Sequence, residues 1–118
     1  MDLTGFIFED MGLYIRAADV VAQDDKVDML FVLGPSEIGP EEFGGLVAAA
    51  APRWGKPALV AWIASERAFD AGAAKLRPAG IACYSDPTRA AWTMVQLAEY
   101  GRFRESRGLA PWGGVARV

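Results

Sequence analysis

The 118 residues carry 12 basic and 15 acidic side chains, for a net charge of -3, and are 53% hydrophobic, which suits one domain around a single core and argues against general nucleic-acid binding, since phosphate affinity needs clustered Lys and Arg. No apolar run reaches the roughly 18 residues of a membrane span and the N-terminus lacks the basic start of a signal peptide, so the expected setting is cytoplasmic, with no membrane partner. Histidine is absent and Cys83 is the single cysteine, which excludes a Ser-His-Asp or Cys-His relay, a histidine or thiolate metal site and an internal disulfide.

In chain order, Asp10 is placed to cap a helix reaching about Asp24, with Leu13, Ala17, Val20 and Val21 expected on its inward face. "VDMLFVL", residues 27–33, reads as a buried strand stopped by Gly34 and Pro35. Pro40 suits the first turn of the next helix, and Glu41 and Glu42 suit the positive end of its dipole. Its inward residues are Phe43, Leu46, Val47 and Ala50, and Pro52 is expected to end it. The pair Gly44 and Gly45 lies within this helical period and reads as close helix packing rather than as a phosphate loop. A strand at 58–64 follows "GKP", then a helix capped by Ser65 that carries Phe69, Ala73 and Leu76 and closes at Pro78 and Gly80.

The last strand spans 81–84, with Cys83 read as a small core residue. Asp86 and Pro87 start a helix whose apolar stripe is Ala91, Met94, Val95 and Ala98. From Gly101 the period is lost, so a domain at 1–103 is followed by a frayed helix end and a tail or linker at 104–118. Short strands alternating with helices predict right-handed crossovers and a parallel α/β sheet covered on both faces. Charge is uneven along the chain: residues 1–42 hold ten acids against Arg16 and Lys26. This reads as a solvated acidic helix and a basic tail, with a docking polarity as the alternative.

The segments "MDLTG", "KVDMLFVLGP", "GKPALVAWIAS" and "LRPAGIACYSDPTRAAWTMVQLAEYGRF", in this order and spacing, resemble the C-terminal flavodoxin-like ligase domain of NDP-forming (ADP-forming) acyl-CoA synthetases, the family of succinyl-CoA synthetase. The likeness spans Asp2 to about Phe103. Its most specific elements are Asp2, Leu3, Thr4 and Gly5; Gly55, Lys56 and Pro57; and Ala79, Gly80 and Ile81 followed by Tyr84, Asp86 and Pro87. The resemblance implies a three-layer flavodoxin-like (Rossmann-like) parallel sheet. It also implies an enzyme that joins a carboxylate to CoA while splitting ATP to ADP and phosphate, through an acyl phosphate and a phosphohistidine on another domain. ATP, Mg and CoA are therefore implied for the complete enzyme, none of them bound by this chain alone. The ATP-grasp, CoA-binding and phosphohistidine parts would belong to another chain or domain.

In that family a strand and a phosphate-facing helix precede the segment resembling "DLTG". Both are expected to be missing here, which predicts an excised fragment, a split domain or a small subunit. The expected role is a non-catalytic structural or docking segment of an acyl-CoA synthetase, and the alternative is a stand-alone α/β binding or regulatory module. No residue is assigned as catalytic or metal-binding. Ligands of open parallel sheets sit beyond the carboxyl ends of the strands, so the candidate cofactor-facing positions are Thr4, Gly5, Gly34, Pro35, Ser36 and Ser65. Ordinary turns and helix caps account for the same residues. The missing strand also predicts that residues 27–33 form an open edge, available to another chain or to a second copy in a homo-oligomer.

Overall fold

Asp10 starts the first helix as its position predicts: its carboxylate accepts a hydrogen bond from the Leu13 N–H at 3.2 Å, and α1 runs Met11–Ala22. The computed structural model describes residues 9–34 and 39–110. The stripe that α1 buries is Met11, Ile15, Ala18 and Ala22, not the expected Leu13, Ala17, Val20 and Val21, and Val20 is exposed. The sequence offers two apolar stripes on one helix, and periodicity alone does not say which one meets the core.

Strand β1 is Leu30–Leu33, shorter than the expected 27–33, and it is not buried throughout: Leu30 and Val32 are buried while Phe31 and Leu33 on the opposite face are exposed. Helix α2 is Pro40–Trp54, with Pro40 in its first turn beside Glu41 and Glu42. Pro52 does not end it. A proline near the last turn removes a single backbone bond, and the helix stops where Gly55 turns left-handed at φ 63°. Strand β2 is Ala58–Ala61. Helix α3 is Glu66–Leu76, with the Ser65 hydroxyl accepting from the Ala68 N–H, and a 3-10 turn at Arg77–Ala79 closes it. Strand β3 is Ala82–Tyr84, and α4 is Pro87–Ser106 with Asp86 as its cap.

Helix α4 continues through Gly101 to Ser106, past the point where the apolar period gives out. Of its residues only Ala90 is fully buried; Ala91 and Val95, expected to face inward, are exposed. Sequence shows an apolar stripe on this helix, but burial depends on how much sheet lies beneath it.

The strands pair in parallel in the order β1-β2-β3, with Leu30 opposite Ala58 and Leu59 opposite Ala82. This is an α/β fold with a flavodoxin-like layout. Leu30 and Val32 of β1 and Ala58 and Val60 of β2 share one core with α1 and α2. Leu59 and Ala61 alternate to the other face, where α4 lies, and are buried. Gly44 lets α2 pack close against α3: a Cβ there would lie 2.7 Å from the Gly72 carbonyl oxygen. Gly45 meets nothing within 4 Å, so only the first of the pair serves close packing.

Candidate functional site

The carboxyl ends of the three strands among the described residues, and the N-termini of the helices that follow them, lie at one edge of the sheet, where an open α/β fold holds its ligand. Trp62, the residue after β2, dominates this edge from below. It is fully buried and meets Phe43 edge-on at 5.2 Å, and Phe43 meets Tyr14 at 5.3 Å. The Tyr14 hydroxyl donates to the Leu33 carbonyl at 2.8 Å, and burial pushes its phenol pKa up.

Two glycines make room for the indole. A Cβ on Gly34 would fall 2.8 Å from Trp62 Cδ2, and one on Gly72 would fall 2.1 Å from Trp62 Cζ3. The Gly34 N–H also donates to the Ala61 carbonyl at 2.8 Å. Gly34 therefore extends the sheet and packs on Trp62. Ser65 accepts from the Ala68 N–H at 3.3 Å, and Asp86 accepts from the Thr88 N–H at 2.8 Å, both as helix caps. Of the other expected cofactor-facing positions, Thr4, Gly5, Pro35 and Ser36 lie outside the described residues. The structure thus brings Gly34 and Ser65 to the same sheet edge and gives each of them a structural task.

Acidic side chains gather at this edge, with Arg67 and Arg89 beside them in the first turns of α3 and α4. Asp10, Glu41, Glu42, Glu66 and Asp86 stand at or beside helix N-termini, where their charges satisfy the dipoles that would otherwise attract phosphate. Arg16 is engaged with Asp10 at 2.8 Å, and its guanidinium lowers the Asp10 pKa. Among the described residues, α1, α3 and α4 start at the side-chain caps Asp10, Ser65 and Asp86, whereas α2 starts at Gly39 with no side-chain cap. Among the same described residues no group of three or more His, Cys, Asp or Glu side chains converges as for a metal.

No family model, curated protein or solved structure matches the chain. A cavity of ≈ 370 Å³ lies at the opposite end of the strands, where Leu97, Gly101 and Arg102 of α4 stand over Asp28, Met29 and Pro57. A smaller groove of ≈ 150 Å³ runs between Tyr14, Ala17 and Val21 of α1 and Met29 to Val32 on β1. Its helix wall is part of the stripe that the sequence assigned to the core, so the signal was visible but its destination was not. The third feature joins α1 to α2: Asp19 accepts from Arg53 Nε at 3.0 Å, Arg53 Nη2 at 2.7 Å and Trp54 Nε1 at 2.7 Å. Nothing in the periodicity flags this pairing, because its partners are 34 and 35 residues apart.

Cys83 is half-buried, and burial pushes its thiol up to about 11 against a smaller downward pull from Arg77. At neutral pH it is a protonated thiol, as suits a packing residue.

Proposed function

We propose that the chain is a non-catalytic structural and docking segment of an ADP-forming acyl-CoA synthetase-like enzyme, with the ATP-grasp, CoA-binding and phosphohistidine parts on another chain or domain. The observation that carries this reading is the uneven covering of the sheet. Among the described residues, helices α1, α2 and α3 share one face, while α4 crosses the other and leaves Phe31, Leu33 and Ile63 exposed. An apolar sheet face left half bare is a surface for another protein element. The flavodoxin-like layout and the segments that resemble the ligase domain supply the kind of enzyme. The acidic side chains at the strand-end edge, Asp10, Glu41, Glu42, Glu66 and Asp86, support a segment that contributes surface rather than chemistry.

The test has two arms. The pure chain is offered ATP, Mg, CoA and acetate, succinate or aromatic acids in turn, and CoA-dependent phosphate release is measured; none is expected. The chain is then isolated from its native host, and a protein that comes with it is identified and recombined with the pure chain. A partner with an ATP-grasp domain and a phosphorylatable histidine, whose synthetase activity needs this chain, supports the proposal. Turnover by the chain alone overturns its non-catalytic part. A partner without those domains, or none, leaves the stand-alone binding or regulatory module.

A further inference from the structure

Helix α4 is apolar on two sides. Ala90 is buried toward the sheet, and Met94, Leu97, Ala98 and Gly101 are half-buried along the same side. On the side away from the sheet stand Trp92, Val95 and Phe103, at helical spacing and 64%, 48% and 50% exposed. A surface helix ordinarily turns charged and polar residues outward. Here a Trp, a Val and a Phe form a ridge roughly 16 Å long, at about 1.5 Å per residue over 92–103.

Arginines border this ridge. At about 100° per residue, Arg89 and Arg107 fall about 60° to one side of Trp92 and Arg102 about 80° to the other. All three are exposed. Arg107 lies 5.3 Å over the Phe103 ring, which stacks on Tyr100 at 6.4 Å. Glu99 is the one acid of α4 on this side, since Glu105 lines the cavity toward the sheet. The basic character is confined to this part of the chain. Residues 87–118 hold five bases and two acids, a balance of +3, whereas residues 1–86 hold seven bases and thirteen acids, a balance of -6. A charge distribution divided in this way turns the molecule with α4 foremost toward a negative surface.

A soft anionic surface suits the ridge better than a rigid partner does. Its row of side chains is convex, and the cavity that α4 lines with Leu97, Ala98 and Arg102 is on the opposite, sheet side. Trp and Phe on such a ridge enter the headgroup layer of a bilayer, and arginines beside them reach lipid phosphates while their stems stay on apolar surface. We infer that α4 docks the protein on an anionic lipid surface, with Trp92, Val95 and Phe103 in the headgroup layer and Arg89, Arg102 and Arg107 on the phosphates. Among the described residues no helix is long and apolar enough to cross a membrane, so α4 lies in the plane of the interface. The expectation of no membrane partner rested on the absence of a span and does not bear on a helix in this position. The inference does not depend on the proposed function.

The test mixes the full chain with vesicles of phosphatidylcholine alone, or of phosphatidylcholine with phosphatidylglycerol, and measures the bound fraction by sedimentation. Binding is expected to the phosphatidylglycerol vesicles only, and it should weaken about tenfold or more when salt is raised to about 0.5 M. Arg102→Gln and Arg107→Gln should each weaken it about fivefold, and Glu99→Gln should strengthen it by a similar factor. Trp92→Ala and Phe103→Ala should each weaken it about tenfold while the urea midpoint stays in place. No binding to the phosphatidylglycerol vesicles overturns the inference, as does equal binding to both kinds. A urea midpoint that falls in Trp92→Ala means that the ridge is packed from within the chain, which also overturns it. So does a solution mass that doubles with concentration and returns to the monomer in Trp92→Ala, which assigns the ridge to a second copy.

Discussion

Gly72 is the residue on which the upper core turns. The Cβ that an alanine would add lies 2.1 Å from Trp62 Cζ3, and Trp62, buried and held edge-on by Phe43, has no free direction in which to give way. Gly72→Ala should therefore destabilise the chain by about 1–3 kcal/mol through overpacking, although alanine is the better helix former by up to about 1 kcal/mol. Gly45→Ala has the same backbone gain and no clash, because nothing lies within 4 Å, so it should stabilise by about 0.5 kcal/mol. Urea midpoints of the two variants check both signs. Asp19 gives a pH signature: its bonds from Arg53, more than that from Trp54, hold its carboxyl below the ordinary value. A depressed folded pKa contributes stability that is present above the unfolded value, about 3.9, and is lost as pH falls through the lower folded one. Asp19→Asn should lower the urea midpoint at pH 7 and leave it nearly unchanged at the acid end; an equal loss at both would mean that the carboxylate charge is not what ties α1 to α2.

Helix starts were the most legible elements because a cap is a local interaction: Asp10, Ser65 and Asp86 each bond a backbone N–H within three residues. Inward faces were less legible. The phase of α1 and the exposure of Val95 on α4 depend on what lies across the sheet, which no window of sequence contains. The candidate site was legible only as a location, since Gly34 answers to an indole 28 positions away rather than to a ligand. The end of α4 was missed for another reason: its last turns are held by side chains on its own surface. Arg104 lies 5.8 Å over the Tyr100 ring and Arg107 5.3 Å over Phe103, four residues apart in each pair, and Arg104 also donates to the Ala110 carbonyl at 3.0 Å. Exposed pairs of this kind are worth about 0.5–1 kcal/mol, and polar spacing hides them from an apolar count. Arg104→Ala should speed amide exchange at residues 103–107 while leaving the global urea midpoint in place. A shift of that midpoint would show that these turns belong to the core after all.

At the scale of the molecule, the two faces of the sheet differ in how completely they are covered. On the face of α1 to α3, Leu30, Val32, Ala58, Val60 and Trp62 are all buried. On the face of α4, Leu59 and Ala61 are buried, yet Phe31, their neighbour in the register, is 37% exposed, Leu33 50% and Ile63 64%. Helix α4 runs from Thr93 beside the Tyr84 hydroxyl to Gly101 and Arg102 near Asp28 and Met29. It thus crosses toward the start of β1, and among the described residues nothing covers the upper part of that strand on this face. If this area is free in the isolated chain, Leu33→Thr with Ile63→Thr removes apolar surface that packs on nothing, so stability should change by no more than about 0.5 kcal/mol. Binding of a hydrophobic dye to the native chain should fall in the same variant. A loss of several kcal/mol in the urea midpoint would have a different meaning: these side chains would be covered from within the chain, and the bare face that supports docking to a partner would not exist.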